Sequence, residues 1–225
     1  MVYSHSAKQR GSALRRLFAS CLYLLFLAIS TPSLAAPADE RLEDAMWRQQ
    51  PQITAIPVCY NFGCKVQTKV RISAREWGQV SGWFYPPAKT AKQERKQIRQ
   101  AIGWMEAVIG KHTPTYRDKA KDLPEGAEFP GQLDCIDESM NTTVYLRLFQ
   151  QAGLLRWHKV VRRAYRRAIF DQHWSGQIME LKTGQRFVVD SWFEDNGMLP
   201  YIASSRVWGD IPFFFTSYRN NFPDQ

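Results

Sequence analysis

The sequence predicts an α+β protein in which helices come first and an antiparallel sheet follows. Two observations carry this expectation. Between about Ala91 and Ile109, and again from Cys135 to about Ala152, the spacing of apolar residues predicts helices, the second ended by Gly153. After that glycine, Trp157–Arg167, His173–Leu181 and Arg186–Ser191 are strand-like, the last two joined by Lys182, Thr183 and Gly184.

The other elements follow in order. Pro37 to about Gln50 is charged, with sparse apolar points at Leu42, Ala45, Met46 and Trp47, and predicts a short surface helix. Ile53–Ile72 alternates as a hairpin or small sheet. Ser73 followed by Glu76 is a capping box opening a short helix, which Pro86 and Pro87 prevent from continuing past Tyr85. Lys111–Gln132, with three prolines and two glycines, is a long loop. It delivers the chain to Cys135 and is expected to form one wall of a site. The aromatic tail Val207–Tyr218, with Phe213, Phe214 and Phe215, is expected to cover the core.

The first 35 residues differ from the rest. Lys8, Arg10, Arg15 and Arg16 precede an apolar run from Leu17 to Ile29, and no acid occurs before Asp39. Ser33 and Ala35 suit a cut before Ala36, so residues 1–35 are expected to be a signal peptide and 36–225 one exported domain, periplasmic or secreted. The apolar run is shorter than the roughly 20 residues a spanning helix needs, so no stable membrane span is expected after cleavage. With 225 residues, 44% of them apolar and 23% charged, the chain has the composition of a folded protein with one core, not of a disordered one. Loss of the four basic residues of the leader takes the formal charge from +9 to +5, which favours anionic partners, although nucleic acid is not expected outside the cell.

Cys59, Cys64 and Cys135 remain in the exported part. An odd number in an oxidising compartment suggests a pair and a singleton, and a hairpin brings Cys59 to Cys64 as a short-loop disulfide. Cys135 is then the unpaired thiol, either buried and inert or used. Asp134 reads as the N-cap of its helix, so the sulfur sits at the positive end of the helix dipole. His173, 38 residues on, supplies an imidazole that can take and return a proton. Asp190 lies on the next strand as its orienting acceptor. The turn length pairs Glu180 with Gln185 and sets Ser175 opposite Asp190, one diagonal step from His173, which a bulge or bend must close. Asp137 and Glu138 oppose a thiolate unless they cap amides or meet a cation.

The run Leu133–Asp134–Cys135–Ile136–Asp137, then His173, then Phe187–Val188–Val189–Asp190, resembles the transglutaminase-like (papain-like) cysteine peptidases, in their bacterial transglutaminase-like cysteine proteinase form. The resemblance covers roughly residues 130–195. It implies a papain-like fold, a transglutaminase core with the nucleophile helix packed on an antiparallel sheet. Cys135 would be the nucleophile, His173 the base and Asp190 its orienter. The Cys135 backbone N–H and Gln132 are candidate oxyanion donors, Gln132 having a turn-forming role as its alternative. Trp174 and Trp192 are candidate substrate contacts, although Trp192 and Trp208 serve equally as core tryptophans.

No cofactor is implied, and no Cys or His spacing points to a metal site. His112 and His158 have no visible partners and are expected on the surface. Arg156, Lys159, Arg162, Arg163, Arg166 and Arg167 form the densest charge, read as a solvated strand edge or as a dock for an anionic cell-envelope component. Asn141–Thr142–Thr143 is a glycosylation sequon on a predicted helix, where chance is the expected explanation. The function expected is an exported cysteine hydrolase or acyltransferase acting on peptide or protein amide bonds. The alternative is a noncatalytic binding or scaffolding module on the same fold, and thiol redox chemistry is a third.

Overall fold

Two antiparallel sheets and the helices around them make up the structure, a computed structural model that describes residues 39–121, 128–168 and 171–210, and the side chains of all these but 39, 40, 167, 168 and 171. The expected signal peptide, the tail at Phe213–Phe215 and the Arg167 side chain lie outside the described residues. The described residues from Arg41 onward form one unit.

Helix α1 (Asp39–Arg48) is followed by the hairpin strands β1 (Ile56–Tyr60) and β2 (Val66–Val70), which pair from Ile56↔Val70 to Tyr60↔Val66. The capping box forms: the Ser73 hydroxyl accepts from Glu76 N–H and the Glu76 carboxylate accepts from Ser73 N–H, opening α2 (Ala74–Ser81). A 3₁₀ turn (Gly82–Phe84) leads to the two prolines and then to α3 (Ala91–Gly110), capped by Thr90. The long loop holds a second 3₁₀ turn, Pro114–Arg117, and ends at α4 (Cys135–Gln151).

The larger sheet has the order β3 (His158–Ala168), β4 (Asp171–Glu180), β5 (Arg186–Asp190), β6 (Tyr201–Ser204), all antiparallel. A short helix α5 (Ser205–Asp210) completes it. The coarse expectation of an α+β protein is correct, and β6 and α5 are additions to it. Their four and six residues are too short to show a period in the sequence.

The main core joins Ile98, Ile102 and Met105 of α3 and Val144 and Phe149 of α4 to Ile56 and Val58 of the hairpin and Ile178 and Val189 of the sheet. Gly176 marks the closest approach of α4 to β4, since a Cβ there would lie 2.8 Å from Thr142 Cγ2. On β4 the alternation of side chains puts His173, Ser175 and Gln177 on the opposite face from Trp174, Gly176 and Ile178. Asn141 is buried and makes a two-way amide clasp with Cys59 N–H and C=O at 2.8 Å each, which removes the sequon from any glycosylating enzyme.

His158 corrects the sequence reading. Instead of lying on the surface it is 2% exposed, with Nδ1 donating to Glu94 at 2.8 Å and Nε2 accepting from Arg95 at 3.2 Å. Its partner was invisible because Glu94 lies 64 residues earlier, on α3. His112 stays at the surface, paired with Glu76. The basic run divides in two. Arg156, Lys159 and Arg162 are exposed on or beside the edge strand, Arg162 paired with Asp44. Arg163 and Arg166 turn inward over the indoles of Trp174 and Trp208, so neither is available to dock an anionic surface. Among the described residues no helix is long and apolar enough to cross a membrane.

Candidate active site at the head of helix α4

Cys135 is the first residue of α4, as the capping signal predicts. Asp134 is the N-cap, and its Oδ1 accepts from Ile136 N–H at 3.0 Å and Asp137 N–H at 2.9 Å. Asp134 Oδ2 takes Gly63 N–H at 2.9 Å, and the two oxygens of Asp137 take Phe62 N–H and Cys64 N–H at 2.7 Å each. The turn that supplies these amides, Asn61 to Cys64, has φ between 57° and 65° at all four positions, and the Cys59–Cys64 disulfide closes it. Asp137 therefore caps amides and does not face the sulfur as an unengaged charge. Burial and the charge of Asp134 push its carboxyl up to about 7, against the pull of those amides. Glu138 is raised well above the ordinary carboxylate range by burial and then by Glu106, Asp118, Asp137 and Asp190, which disfavours a negative charge there.

Cys135 is the free cysteine of the described residues, half-buried against the smaller apolar cluster that includes Trp192, Phe193, Tyr201 and Trp208. His173 and Asp190 stand at the same end of the sheet, 1% exposed each, with His173 Nε2 donating to Asp190 Oδ2 at 2.9 Å. The two side chains meet across the diagonal step between β4 and β5, and the irregularity in the larger sheet lies elsewhere, in β3 between Val161 and Ala164. With Nε2 on Asp190, Nδ1 is the nitrogen left for the sulfur, which is near enough to act on the ring's charge. Burial works against charge on the imidazole. The carboxylate of Asp190 and the Cys135 sulfur outweigh it and raise His173 to about 9, so the ring keeps a proton at neutral pH.

The remaining sequence candidates fall in different places. Trp192 packs on the His173 ring, centroids 5.0 Å apart, but is 5% exposed. Trp174 does not join it: the period of a strand sends it to the other face, between Tyr165 and Arg163. Gln132 is buried, its oxygen accepting from Lys119 N–H at 3.1 Å and its nitrogen donating to the Arg117 carbonyl at 2.7 Å. That brace shapes the long loop, whose described residues bond to the segments around Trp192 and Leu133. Asp118 takes Leu133 N–H, Asp195 takes Ala120 N–H, and Lys121 N–H donates to the Trp192 carbonyl. The contact that sequence reasoning missed is Trp208, whose indole N–H donates to Asp190 Oδ2 at 2.8 Å.

Cys59, Cys64 and Asp137 bring three ligand-type atoms within 4.8 Å of one another, the one such group among the described residues. The two sulfurs are bonded to each other and the carboxylate is engaged by amides, which leaves this set no donors for an ion.

A pH dependence follows from the acids behind the site. Glu106, whose Oε1 is buried without a partner, is raised to about 7 by burial, and Glu138 is raised for the same first reason. Between the unfolded carboxylate value and about 7 the folded chain holds protons that the unfolded chain has released, so stability falls as pH rises through that window. His173 adds a loss of the same sign, its contribution complete below about 6.5 and gone above about 9. The expected result is a lower urea midpoint at pH 9 than at pH 5.5; a midpoint that rises over that interval contradicts the assignment.

Compared with known proteins, the chain matches no family model, no curated protein and no solved structure.

Proposed function

We propose that this protein is an exported cysteine hydrolase or acyltransferase of papain-like, transglutaminase-core architecture, acting on amide bonds of peptide or protein substrates. The observation that carries the reading is the 2.9 Å bond between His173 and Asp190 with the Cys135 sulfur at the same ring. Helix N-terminal amides and an imidazolium are the surroundings that make sulfur nucleophilic.

In the proposed cycle the Cys135 sulfur attacks the carbonyl carbon, and the developing oxyanion meets the Cys135 backbone N–H, which has no partner within its helix. Gln132 keeps one amide hydrogen beyond the one on Arg117 and stays the second donor candidate. The C–N bond breaks as the imidazolium gives its proton to the leaving amine, and a thioester remains. Water then attacks the thioester, losing a proton to His173, and the acid departs with the sulfur regenerated. An amine attacking in place of water gives transamidation by the same steps. The Cys59–Cys64 disulfide supports export.

The test is incubation with a p-nitrophenyl ester of an N-acylated amino acid, followed by intact-mass measurement. Expected is one acyl group on Cys135, removed by hydroxylamine and absent from Cys135→Ala. A Cys135 that never acylates overturns the reading and leaves the binding module, docked through Arg156, Lys159 and Arg162 alone.

A further inference from the structure

Asp190 does not serve His173 alone. The oxygen that accepts His173 Nε2 at 2.9 Å also accepts the Trp208 indole N–H at 2.8 Å, and all three side chains are at most 2% exposed. The indole also lies over the imidazole, centroids 5.7 Å apart. Arg166 governs where the indole sits. It stands opposite His173 in the β3–β4 register, places its guanidinium 4.8 Å from the Trp208 ring and donates Nη1–H to the Trp208 carbonyl at 2.9 Å.

Two donors on one carboxylate oxygen have two consequences. They fix the plane of the carboxylate, and each draws off electron density that the other would otherwise receive. We propose that Trp208 is a positioning residue whose indole N–H holds Asp190 against His173 and limits how firmly that carboxylate keeps the imidazole proton, with Arg166 setting the indole in place. The role rests on the triad reading above. A general acid has to release its proton to a leaving group, and a ring bound by an undivided carboxylate releases it less readily. A phenyl ring at 208 would fill much of the same volume without the N–H.

The charged and titratable groups facing the ring are Asp190 from β5, Cys135 from α4 and Arg166 from β3, with Trp192, Phe193 and Trp208 as its aromatic walls. Glu138 interacts with Asp190 from α4.

The experiment is a nitrogen–proton NMR titration of the full chain, following the His173 ring and the Trp208 indole together. In the wild-type chain the indole N–H is expected to shift with the midpoint of His173, because the two donors share an acceptor. In Trp208→Phe the His173 midpoint is expected to rise by about one pH unit, the worth of roughly one hydrogen bond. An indole resonance indifferent to the His173 titration overturns the proposal, and so does an unmoved midpoint in a folded Trp208→Phe. If the variant fails to fold, the wild-type titration decides by itself. Failure of Cys135 to acylate sinks the hydrolase reading without touching this coupling, so the two outcomes separate.

Discussion

Glu94→Ala is expected to cost the fold about 4 kcal/mol, near the top of what single substitutions do. The Glu94 carboxylate is 1% exposed and gathers four donors: the backbone N–H groups of Arg156, Trp157 and His158 at 2.6 to 3.0 Å, and His158 Nδ1 at 2.8 Å. With an alanine there, buried donors at the entrance to β3 lose their acceptor, each at a cost of about 1–3 kcal/mol, partly relieved by water entering from the Arg156 side. The network does not end at the ring. Arg95 bonds His158 Nε2, pairs with Glu180 at 3.0 Å and lies 3.9 Å over Phe187, so the loss extends across three strands. Glu94→Gln keeps one acceptor oxygen and should cost about half as much. Urea unfolding measures both, and a Glu94→Ala loss below about 1 kcal/mol would show that the carboxylate is not what holds this corner.

His173→Ala is expected to slow alkylation of Cys135 by iodoacetamide at pH 7 about 100-fold, the low end of what a positioned proton carrier contributes. The ring is raised to about 9, against its burial, by Asp190 and Cys135, so in the wild type the reactive pairing persists through neutral pH and is lost as pH climbs past about 9. His112→Ala is the control. That histidine is paired with Glu76 at the surface, and its loss should leave the alkylation rate unchanged. Equal rates for His173→Ala and wild type would show that the imidazole does nothing for the sulfur.

How much of this was legible in the sequence depended on the range of the interaction. Local signals were readable: the Ser73 and Asp134 caps, the helical period through Ile98, Ile102 and Met105, and the register that sets Asp190 one step from His173. The disulfide was readable too, because its cysteines are five positions apart and a hairpin brings them together. Partnerships between distant segments were not. Nothing in the neighbourhood of His158 announces Glu94, and a run of arginines does not reveal that Arg163 and Arg166 will lie over indoles while Arg162 faces water. Trp208 offered two readings, core or contact, and its N–H to Asp190 combines them: a packed ring with a polar edge used by the site.

The left-handed turn from Asn61 to Cys64 acts as a receptacle for anions, since successive N–H groups in that conformation converge on one side of the chain. What it receives is internal, the side chains of Asp134 and Asp137. Holding Asn61, Phe62 and Cys64 in that region costs about 1 kcal/mol each, which three charge-assisted bonds offset. The result is a division of labour in the local field: two acids that flank the Cys135 sulfur along the chain have their carboxyl groups directed into a neighbouring loop, and the dipole of the helix remains aimed at whatever occupies its tip.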